Sequence, residues 1–144
     1  MSVLQSAKLS LTAAQILALA ETPVTIIPAP DATHYTNIIA WTLEYKFKTT
    51  PYTVSSSTDL ITLVPASDPT SSILLSVLWT GFVDQSVSMV AGLASVIQSL
   101  NSNDNPVTLT HLKGQAIQVS ATVDVTGGAG LLYMVVYYTT EAVL

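Results

Sequence analysis

Two histidines are the first candidates for acid–base or metal chemistry in this 144-residue sequence. His34 and His111 belong to no His-x-His or His-Glu-x-x-His pattern, so no zinc site within one element is predicted. Turn-forming residues flank each of them, which predicts solvent-facing side chains. Serine is abundant enough that a Ser-His-Asp arrangement stays open, yet no Gly-x-Ser-x-Gly elbow supports one.

Carboxylates are spread singly along the chain, at Glu21, Asp31, Glu44, Asp59, Asp68, Asp84, Asp104, Asp124 and Glu141. Asp31, Asp59, Asp68 and Asp104 stand in turn-like contexts, where aspartate bonds its own backbone. A glycosidase pair can come from distant positions, so spacing alone leaves that chemistry open. Calcium prefers several oxygens within one loop, and no Asp-x-Asp-x-Asp run exists. The sequence predicts no catalytic residue, no cofactor-binding residue, no metal ligand and no enzymatic activity.

Two further patterns could bind ligands. The glycine-rich stretch 127–130 lacks the Lys-Ser/Thr pair of a phosphate-binding P-loop and precedes an apolar run instead of a helix, so a turn is predicted. The aromatic residues Tyr35, Trp41, Tyr45 and Phe47 could line a sugar-binding platform. Their alternation is more typical of a strand facing a core, and we expect them there.

Charge is scarce in this chain. Only 9% of the residues are Asp, Glu, Lys or Arg, against about a quarter in ordinary soluble domains. Mean hydropathy is +0.53, yet no stretch approaches the roughly 18 consecutive apolar residues of a spanning helix. The first residues lack a basic region followed by an apolar one, so neither a membrane location nor a secretory signal is expected. The absence of cysteine removes thiolate chemistry and disulfides.

A chain with so few charges is best explained if copies of itself or a larger assembly cover much of its surface. The alternative is a monomer whose sheets are coated with Ser and Thr. The formal net charge is -5 and there is no arginine. The lysines Lys8, Lys46, Lys48 and Lys113 cannot neutralise many phosphates, so no nucleic-acid partner is expected.

One short helix is predicted at about residues 12–20. The run Thr12–Gln15 has the pattern of a capping box, and Leu11 and Ile16 occupy the positions of a hydrophobic staple. Pro23 ends the helix, because the residue before a proline is disfavoured in the helical region.

Beyond the helix the apolar period changes to two, which predicts antiparallel strands. The predicted strands are 24–28, 35–47 (or a hairpin pair with a break near Asn37), 60–64, 73–79, 117–123 and 131–140. The inward face of the second is predicted to be Tyr35, Ile39, Trp41, Leu43, Tyr45 and Phe47. The run 131–140 is apolar on both faces, which predicts a central or doubly covered strand.

Residues 84–100 combine apolar residues at helical spacing with Gly92 and many Ser and Val, so we expect an irregular or partly helical excursion. A loop is expected at 101–106 and a hairpin turn at 126–130. About eight strands predict a mainly β fold, an antiparallel β-sandwich or jelly roll. Residues 1–10 are expected to form an N-terminal arm that could pair as an edge strand, and 11–144 a single domain.

Several stretches resemble small β-rich virion structural proteins of tailed bacteriophages, a group that includes capsid decoration (cement) proteins. They are Leu11–Ile16, Thr22–Pro30, and Thr126–Leu131 running into Val135–Tyr138. Where that group has a Gly-Ala-Gly-Lys-like stretch after the proline turn, this chain has Asp31–His34. The resemblance implies a β-sandwich with a structural role in the particle, and it carries over no catalytic motif.

On this basis we expect a decoration protein on the outer surface of the phage head. It would form a homo-oligomer, a trimer, and contact the major capsid protein or other virion proteins. A tail-fibre or baseplate module that recognises host surface glycans is the alternative. The arm, residues 1–10, is expected to contact a neighbouring subunit by adding a strand to its exposed sheet edge.

Overall fold

A computed structural model describes residues 2–69, 72–94, 100–101 and 109–144 of the chain. The elements in these residues are, in chain order, β1 (Gln5–Leu11), α1 (Ala13–Leu17), β2 (Val24–Ile27), β3 (His34–Lys46), β4 (Leu60–Pro65), β5 (Ser72–Ile73), β6 (Leu75–Leu78), β7 (Met89–Ala94), β8 (Leu100–Asn101), α2 (Leu109–Leu112), β9 (Ile117–Ala121) and β10 (Leu131–Ala142). Neither helix in the described part of the chain has the length and apolar character needed to cross a membrane.

Eight of these strands form two four-stranded antiparallel sheets. The strand order is β1-β10-β3-β7 in sheet A and β2-β9-β4-β6 in sheet B, while the short β5 and β8 pair with each other. Along the chain, successive sandwich strands alternate between the sheets, except that β4 and β6 are neighbours in sheet B. This is the strand order of a jelly roll, which joins two Greek keys into a sandwich. The predicted β-sandwich is confirmed.

The core lies between the sheets and follows from the alternation of side chains along each strand. On β10, Leu132, Met134 and Val136 are at most 2% exposed, and on β4, Ile61 and Leu63 are fully buried in the same cluster. Each such side chain stabilises the fold by roughly 1.5–3 kcal/mol relative to an exposed one. The prediction that 131–140 is a central strand is confirmed, since β10 lies between β1 and β3.

A β-bulge interrupts the pairing of β3 with β10. Tyr137 pairs with Ala40 and Tyr138 pairs with Ile38, which leaves Ile39 as an extra residue on β3. An extra residue exchanges the inward and outward faces of the strand beyond it, because side chains alternate with a period of two. The predicted break near Asn37 is therefore a bulge within one continuous strand.

The bulge corrects the predicted inward face of this strand. Trp41, Leu43 and Tyr45 are fully buried, as expected. Ile39, expected beside them, is 38% exposed, and on that side of the bulge Ile38 is buried instead. A prediction that applies one period of two to the whole strand assigns the wrong face to the residues before the bulge.

The predicted capping box is present at the start of α1. The Thr12 N–H donates to Gln15 Oε1 at 2.9 Å, and the Gln15 N–H donates to Thr12 Oγ1 at 3.3 Å. The staple residues Leu11 and Ile16 are 1% and 0% exposed. Two of the helix's otherwise unpaired donors are satisfied, and its apolar side is fixed on the core.

Two predicted boundaries change. The helix ends at Leu17, earlier than the predicted residue 20, because the chain turns at Ala18, whose carbonyl accepts from the Thr22 N–H at 2.7 Å. The loop predicted at 101–106 lies outside the described residues beyond its first position, which belongs to β8.

The strand predicted at 73–79 is two strands. Ser72–Ile73 pair with β8, whereas Leu75–Leu78 join sheet B beside β4. Between them, the Leu74 N–H donates to the Leu63 carbonyl at 2.8 Å. The apolar run is continuous in sequence, so it contains no signal for the change of partner.

The irregular or partly helical structure predicted for 84–100 is wrong for Met89–Ala94, which form the edge strand β7. Met89 and Ala91 pack against the core, while Val90 between them is 75% exposed. Inward and outward side chains therefore alternate along β7 with a period of two. The larger apolar residues of 84–100 happen to recur at helical spacing, which hides this alternation in the sequence.

The glycine-rich stretch 127–130 joins the two sheets and is not a hairpin turn as predicted, because β9 belongs to sheet B and β10 to sheet A. Gly127 and Gly128 have φ angles of 61° and 85°, a region that favours glycine. Antiparallel bonds join Thr53 and Thr126 just before this connection. The predicted positive φ of the glycines is confirmed, but the strands that this connection joins lie in different layers.

Two glycines of this connection pack directly on aromatic rings. A Cβ at Gly128 would lie 2.5 Å from the ring of Tyr52, and one at Gly130 would overlap the ring of Tyr45 and lie 2.8 Å from the Lys46 carbonyl oxygen. The Tyr52 hydroxyl donates to the Gly130 carbonyl at 2.6 Å. The connection thus closes one part of the core by letting the backbone touch the rings.

The first described residues pair as an edge strand, as expected. Gln5–Leu11 form β1 and pair with β10 of the same chain along their whole length. Ahead of β1, Val3 and Leu4 are 70% and 62% exposed. Because β10 occupies one side of β1, addition to a neighbouring subunit would have to use its other side.

Replacing Gly130 with alanine is expected to destabilise the protein by roughly 1–3 kcal/mol, because the methyl group overfills the contact with Tyr45. The measurement is the midpoint of urea unfolding. Gly92→Ala is the control, since a Cβ there meets the Thr42 methyl at an ordinary 3.6 Å. Equal midpoints for the two variants would contradict the close packing.

Burial raises the pKa of Tyr52 to about 12, with Tyr45 adding to the effect. The unfolded phenol ionises near pH 10, so the stability tied to its neutral form is fully present below pH 10 and is lost as pH rises toward 12. Tyr52→Phe is expected to be less stable at pH 8, because the Gly130 carbonyl loses its donor. The difference in unfolding free energy between the parent and Tyr52→Phe, measured by urea titration, should shrink between pH 10 and 11.5. A constant deficit would contradict this.

Candidate assembly surface and polar clusters

Asp31 organises the turn that leads into β3. Its Oδ1 accepts from the Thr33 hydroxyl at 2.6 Å and the Thr33 N–H at 2.8 Å, and it lies 2.8 Å from His34 Nδ1. These bonds, the Thr33 hydroxyl first, hold the pKa of the Asp31 carboxyl well below its usual range. His34 is therefore bonded to a neighbouring side chain, although it is partly exposed as expected. The arrangement is that of a structural turn.

A second cluster joins β5 to α2. The fully buried Ser72 donates from its hydroxyl to Asp68 Oδ2 at 2.6 Å, and that hydroxyl lies 3.4 Å from His111 Nδ1. The same ring nitrogen lies 3.4 Å from Asp68 Oδ2. His111 was expected to face solvent, but this half-exposed side chain also borders a buried hydroxyl.

The second cluster contains the residue types of a Ser-His-Asp triad without its geometry. In a triad the two ring nitrogens contact the serine and the aspartate separately, and the serine gives its proton to the histidine. Here Nδ1 of His111 faces both partners, and the proton of Ser72 points to Asp68. The cluster fixes one loop against another, and its hydroxyl is sealed inside the protein.

Other aspartates bond backbone or side-chain donors in turns. Asp59, 7% exposed, accepts from the Ser55 hydroxyl at 2.6 Å. Asp84 accepts from the Gly81 N–H at 2.7 Å. Asp124 accepts from the Ala20 N–H, just after α1, at 2.6 Å. The turn role predicted for Asp31 and Asp59 is confirmed, since each accepts from a nearby backbone N–H. Asp68, predicted to do the same, accepts from the Ser72 hydroxyl instead, and Asp104 lies outside the described residues. Within the described ranges, no group of three or more His, Asp or Glu side chains could hold a metal ion.

The aromatic stripe of β3 is part of the core, as expected, and not a sugar platform. Trp41 and Tyr45 are fully buried, and Tyr35 and Phe47 are partly buried against the same cluster. Exposed aromatic surface occurs instead on the opposite side of sheet A, on β10.

Face A is the name used here for the outer surface of sheet A. It includes the outward residues Ser6, Lys8, Ser10, Leu131, Tyr133, Val135, Tyr137, Ala40, Thr42, Glu44, Lys46, Val90 and Gly92. Tyr133 and Tyr137 are each 38% exposed, and Val90 is 75% exposed. Face A is therefore an open surface of mostly apolar and hydroxyl-bearing residues.

The outer side of sheet B differs from face A because other parts of the chain cover it. Thr62 and Ser120 pair across β4 and β9 and are only 2% and 4% exposed. The α1–β2 connection and the segment around Pro69 and Ile73 border this side and line a cleft of about 450 Å³. Among the described residues, the exterior of sheet A has the more exposed side chains of the two.

Charged groups on face A stand on opposite flanks. Lys8 lies on β1 and Glu44 on β3, with β10 between them. Glu44 also contacts Lys46 of its own strand, with Oε1 3.2 Å from Nζ. Beside Glu44, a shallow hollow of about 160 Å³ opens between Tyr133 and Val90.

Face A went unrecognised in the sequence, although a signal for it was present. The run 131–140 is apolar on both faces, a pattern that predicts a central or doubly covered strand. The strand is central in its sheet, but its outward residues remain exposed. An apolar outward face on a central strand is the pattern expected when a second protein surface supplies the cover.

Comparison with known proteins gives likenesses among solved structures only. No protein-family model matches the chain, and no curated protein matches it. A solved chain described as part of the capsid asymmetric unit of cyanophage Pam1 is similar in structure, with a TM-score of 0.49 and 12% sequence identity. The likeness covers 96% of this chain and 85% of that chain. At this level of similarity, function has to be argued from the chain's own residues.

Ser72→Ala is expected to destabilise the protein by about 1.5–3 kcal/mol, the usual worth of a hydrogen bond to a carboxylate. The hydroxyl is fully buried, so water cannot replace it at Asp68. The measurement is the free energy of urea unfolding. The exposed Ser57 supplies the control, and Ser57→Ala should stay within about 0.5 kcal/mol of the parent. Equal stabilities would show that the cluster does not fix the loop.

Proposed function

We propose that this chain is a non-enzymatic structural protein of a tailed-phage particle that acts by self-association and by contact with other virion proteins. The observation that carries the proposal is face A, a sheet surface on which Tyr133, Tyr137 and Val90 are exposed, on a chain with only 9% charged residues. Monomeric domains usually surround such surfaces with mixed charge, and a contiguous apolar patch usually marks an interaction site.

A decoration protein on the outside of the head is the form of this function that we favour. The net charge of -5 and the absence of arginine suit the outer side of a shell better than contact with packaged DNA. Jelly rolls also recur in viral capsid proteins, which is support by analogy of fold only. Modest contacts repeated over many copies can resist internal pressure, as multivalency requires. We propose a homotrimer that contacts the major capsid protein.

A non-enzymatic role agrees with the way the chain uses its polar side chains. Asp31, Asp59, Asp68, Asp84 and Asp124 bond donors within turns and loops. Catalytic carboxylates must be free to exchange a proton with substrate. These carboxylates are engaged in holding the structure.

Glycan recognition in a tail fibre or baseplate is the second candidate. Tyr133 and Tyr137 are partly exposed on one face of β10, and aromatic rings of this kind can pack on sugar rings. The two functions differ in where the protein sits and in how many copies a particle carries.

Immunogold labelling of particles of the encoding phage, with copy number from quantitative mass spectrometry, separates the two functions. We expect label over the whole head and copies on the order of hundreds per particle, the multiplicity that cement contacts need. Label confined to the tail, with a handful of copies, would overturn the decoration role in favour of adhesion. Absence from purified particles would overturn both.

A further inference from the structure

We propose that the cleft on the outer side of sheet B is a binding site for an aliphatic primary amine, with the ammonium group at Glu21 and the methylene chain against the apolar walls. The cleft has a volume of about 450 Å³, within the roughly 300–1,000 Å³ of small-molecule sites. Such binding would be a further function and would not depend on self-association, because every lining residue belongs to one copy of the chain.

Hydroxyl groups form the floor of the cleft. Thr62 of β4 and Ser120 of β9 are direct partners across sheet B, and they are only 2% and 4% exposed. Thr122, just past the end of β9, lines the cleft too, and its Oγ1 accepts from the Leu60 N–H at 2.9 Å. Hydroxyl oxygens have two acceptor lone pairs, so the floor offers acceptors to a ligand that brings hydrogen-bond donors.

Glu21 is the only ionisable group among the described lining residues, and its side chain is exposed. No ion pair in the described part of the chain involves Glu21, whereas Glu44 of sheet A already contacts Lys46. An ammonium group carries three N–H donors and no acceptor, so it can pair with this carboxylate and still donate to a hydroxyl. A phosphate or carboxylate ligand would be repelled by Glu21 and by the net charge of -5.

The rest of the lining is apolar and suits a hydrocarbon chain. It consists of Ala20, Pro23, Pro69, Ile73 and Ala121. A lysine side chain shows the same division, since it buries its methylene groups along apolar surface while its charged end stays in water. No aromatic ring on which a sugar could pack is among the described lining residues. A linear amine therefore matches both the polar and the apolar parts of the cleft.

Aspartates hold both walls of the cleft in place. On one side, the Ala20 N–H donates to Asp124 Oδ1 at 2.6 Å, which ties the α1–β2 connection to the segment after β9. On the other side, the buried Ser72 donates to Asp68 Oδ2 at 2.6 Å, and each of these two residues is the chain neighbour of a lining residue. The site is therefore preformed, and little free energy is lost in ordering it when a ligand binds.

Amide NMR spectra of the full chain, recorded during titration with the linear diamine cadaverine, test this site. We expect saturable shift changes at Glu21, Ser120 and Thr122. Pentanediol of the same chain length is the control ligand, because it keeps the methylene chain and lacks the charge. Its affinity should be lower by about tenfold or more, since hydrogen bonds between ionised partners are much stronger than those between neutral ones.

Glu21→Gln removes the charge and keeps the size of the side chain. Because Glu21 is exposed, this variant should fold like the parent, and its urea midpoint checks this. Its affinity for cadaverine should fall by about tenfold or more. Glu44→Gln is the matched control, since it removes the same charge on face A, outside the cleft. Its affinity should stay within about twofold of the parent, because salt screens distant exposed charges.

A second titration distinguishes two sources of the ammonium group. The tripeptide Gly-Lys-Gly, blocked at both ends, presents the same group on a peptide backbone. Shifts at the cleft amides with cadaverine alone would support a site for free amines. Shifts with the tripeptide, with or without those from cadaverine, would support a site that admits a lysine side chain of a partner protein.

The amine site would be overturned if neither ammonium ligand shifts the cleft amides. Equal affinity of the parent for cadaverine and pentanediol, or unchanged affinity in Glu21→Gln, would also overturn it. Shifts of these amides with N-acetylglucosamine, and none with cadaverine, would replace it with a glycan site. None of these results bears on where the protein sits on the particle, which the immunogold experiment decides, so the amine site and the structural role can fail separately.

Discussion

Pairing between β10 and β3 fixes both the inside and the outside of this molecule. The two strands are neighbours at the centre of sheet A and pair over twelve residues of β10. Their register sends Leu132, Met134 and Val136 into the core and leaves Tyr133 and Val135 on face A. A slip of one residue would exchange these sets, so the core and face A are specified by the same hydrogen bonds. Ile39 is the one residue of β3 within this pairing that has no partner on β10, and it forms the bulge.

Charged groups are scarce in this chain, and several of them hold turns and loops in place. Most described aspartates tie turns together, and the two histidines each lie against an aspartate. Few charged side chains remain for the exterior. The outer side of sheet B is covered by loops of the same chain, which bury Thr62 and Ser120. Sheet A has no such cover on its outer side within the described residues, so Tyr133 and Tyr137 of β10 stay exposed there, as is usual for an interaction site.

Local signals in the sequence were sufficient for the elements that depend on neighbours along the chain. The capping box at Thr12, the core placement of Trp41 and the central position of β10 follow from patterns a few residues long. Features that depend on partners distant in sequence did not follow. The bulge at Ile39, the crossing of 127–130 between sheets and the assignment of 89–94 to an edge strand are decided by which strand lies alongside. The cluster at Ser72 belongs to the same group, since its members come from separate loops.

The strand order has a consequence for the order of events during synthesis. In sheet A, β1 and β3 each pair with β10 and not with each other, so the sheet lacks its middle until residues 131–142 have been made. Contacts between segments so far apart in sequence form late and slowly. A nascent chain therefore has no complete sheet A, and no finished outer surface on it, until these residues have emerged from the ribosome. Under the proposed self-association, this order would keep copies on one polysome apart before each has folded.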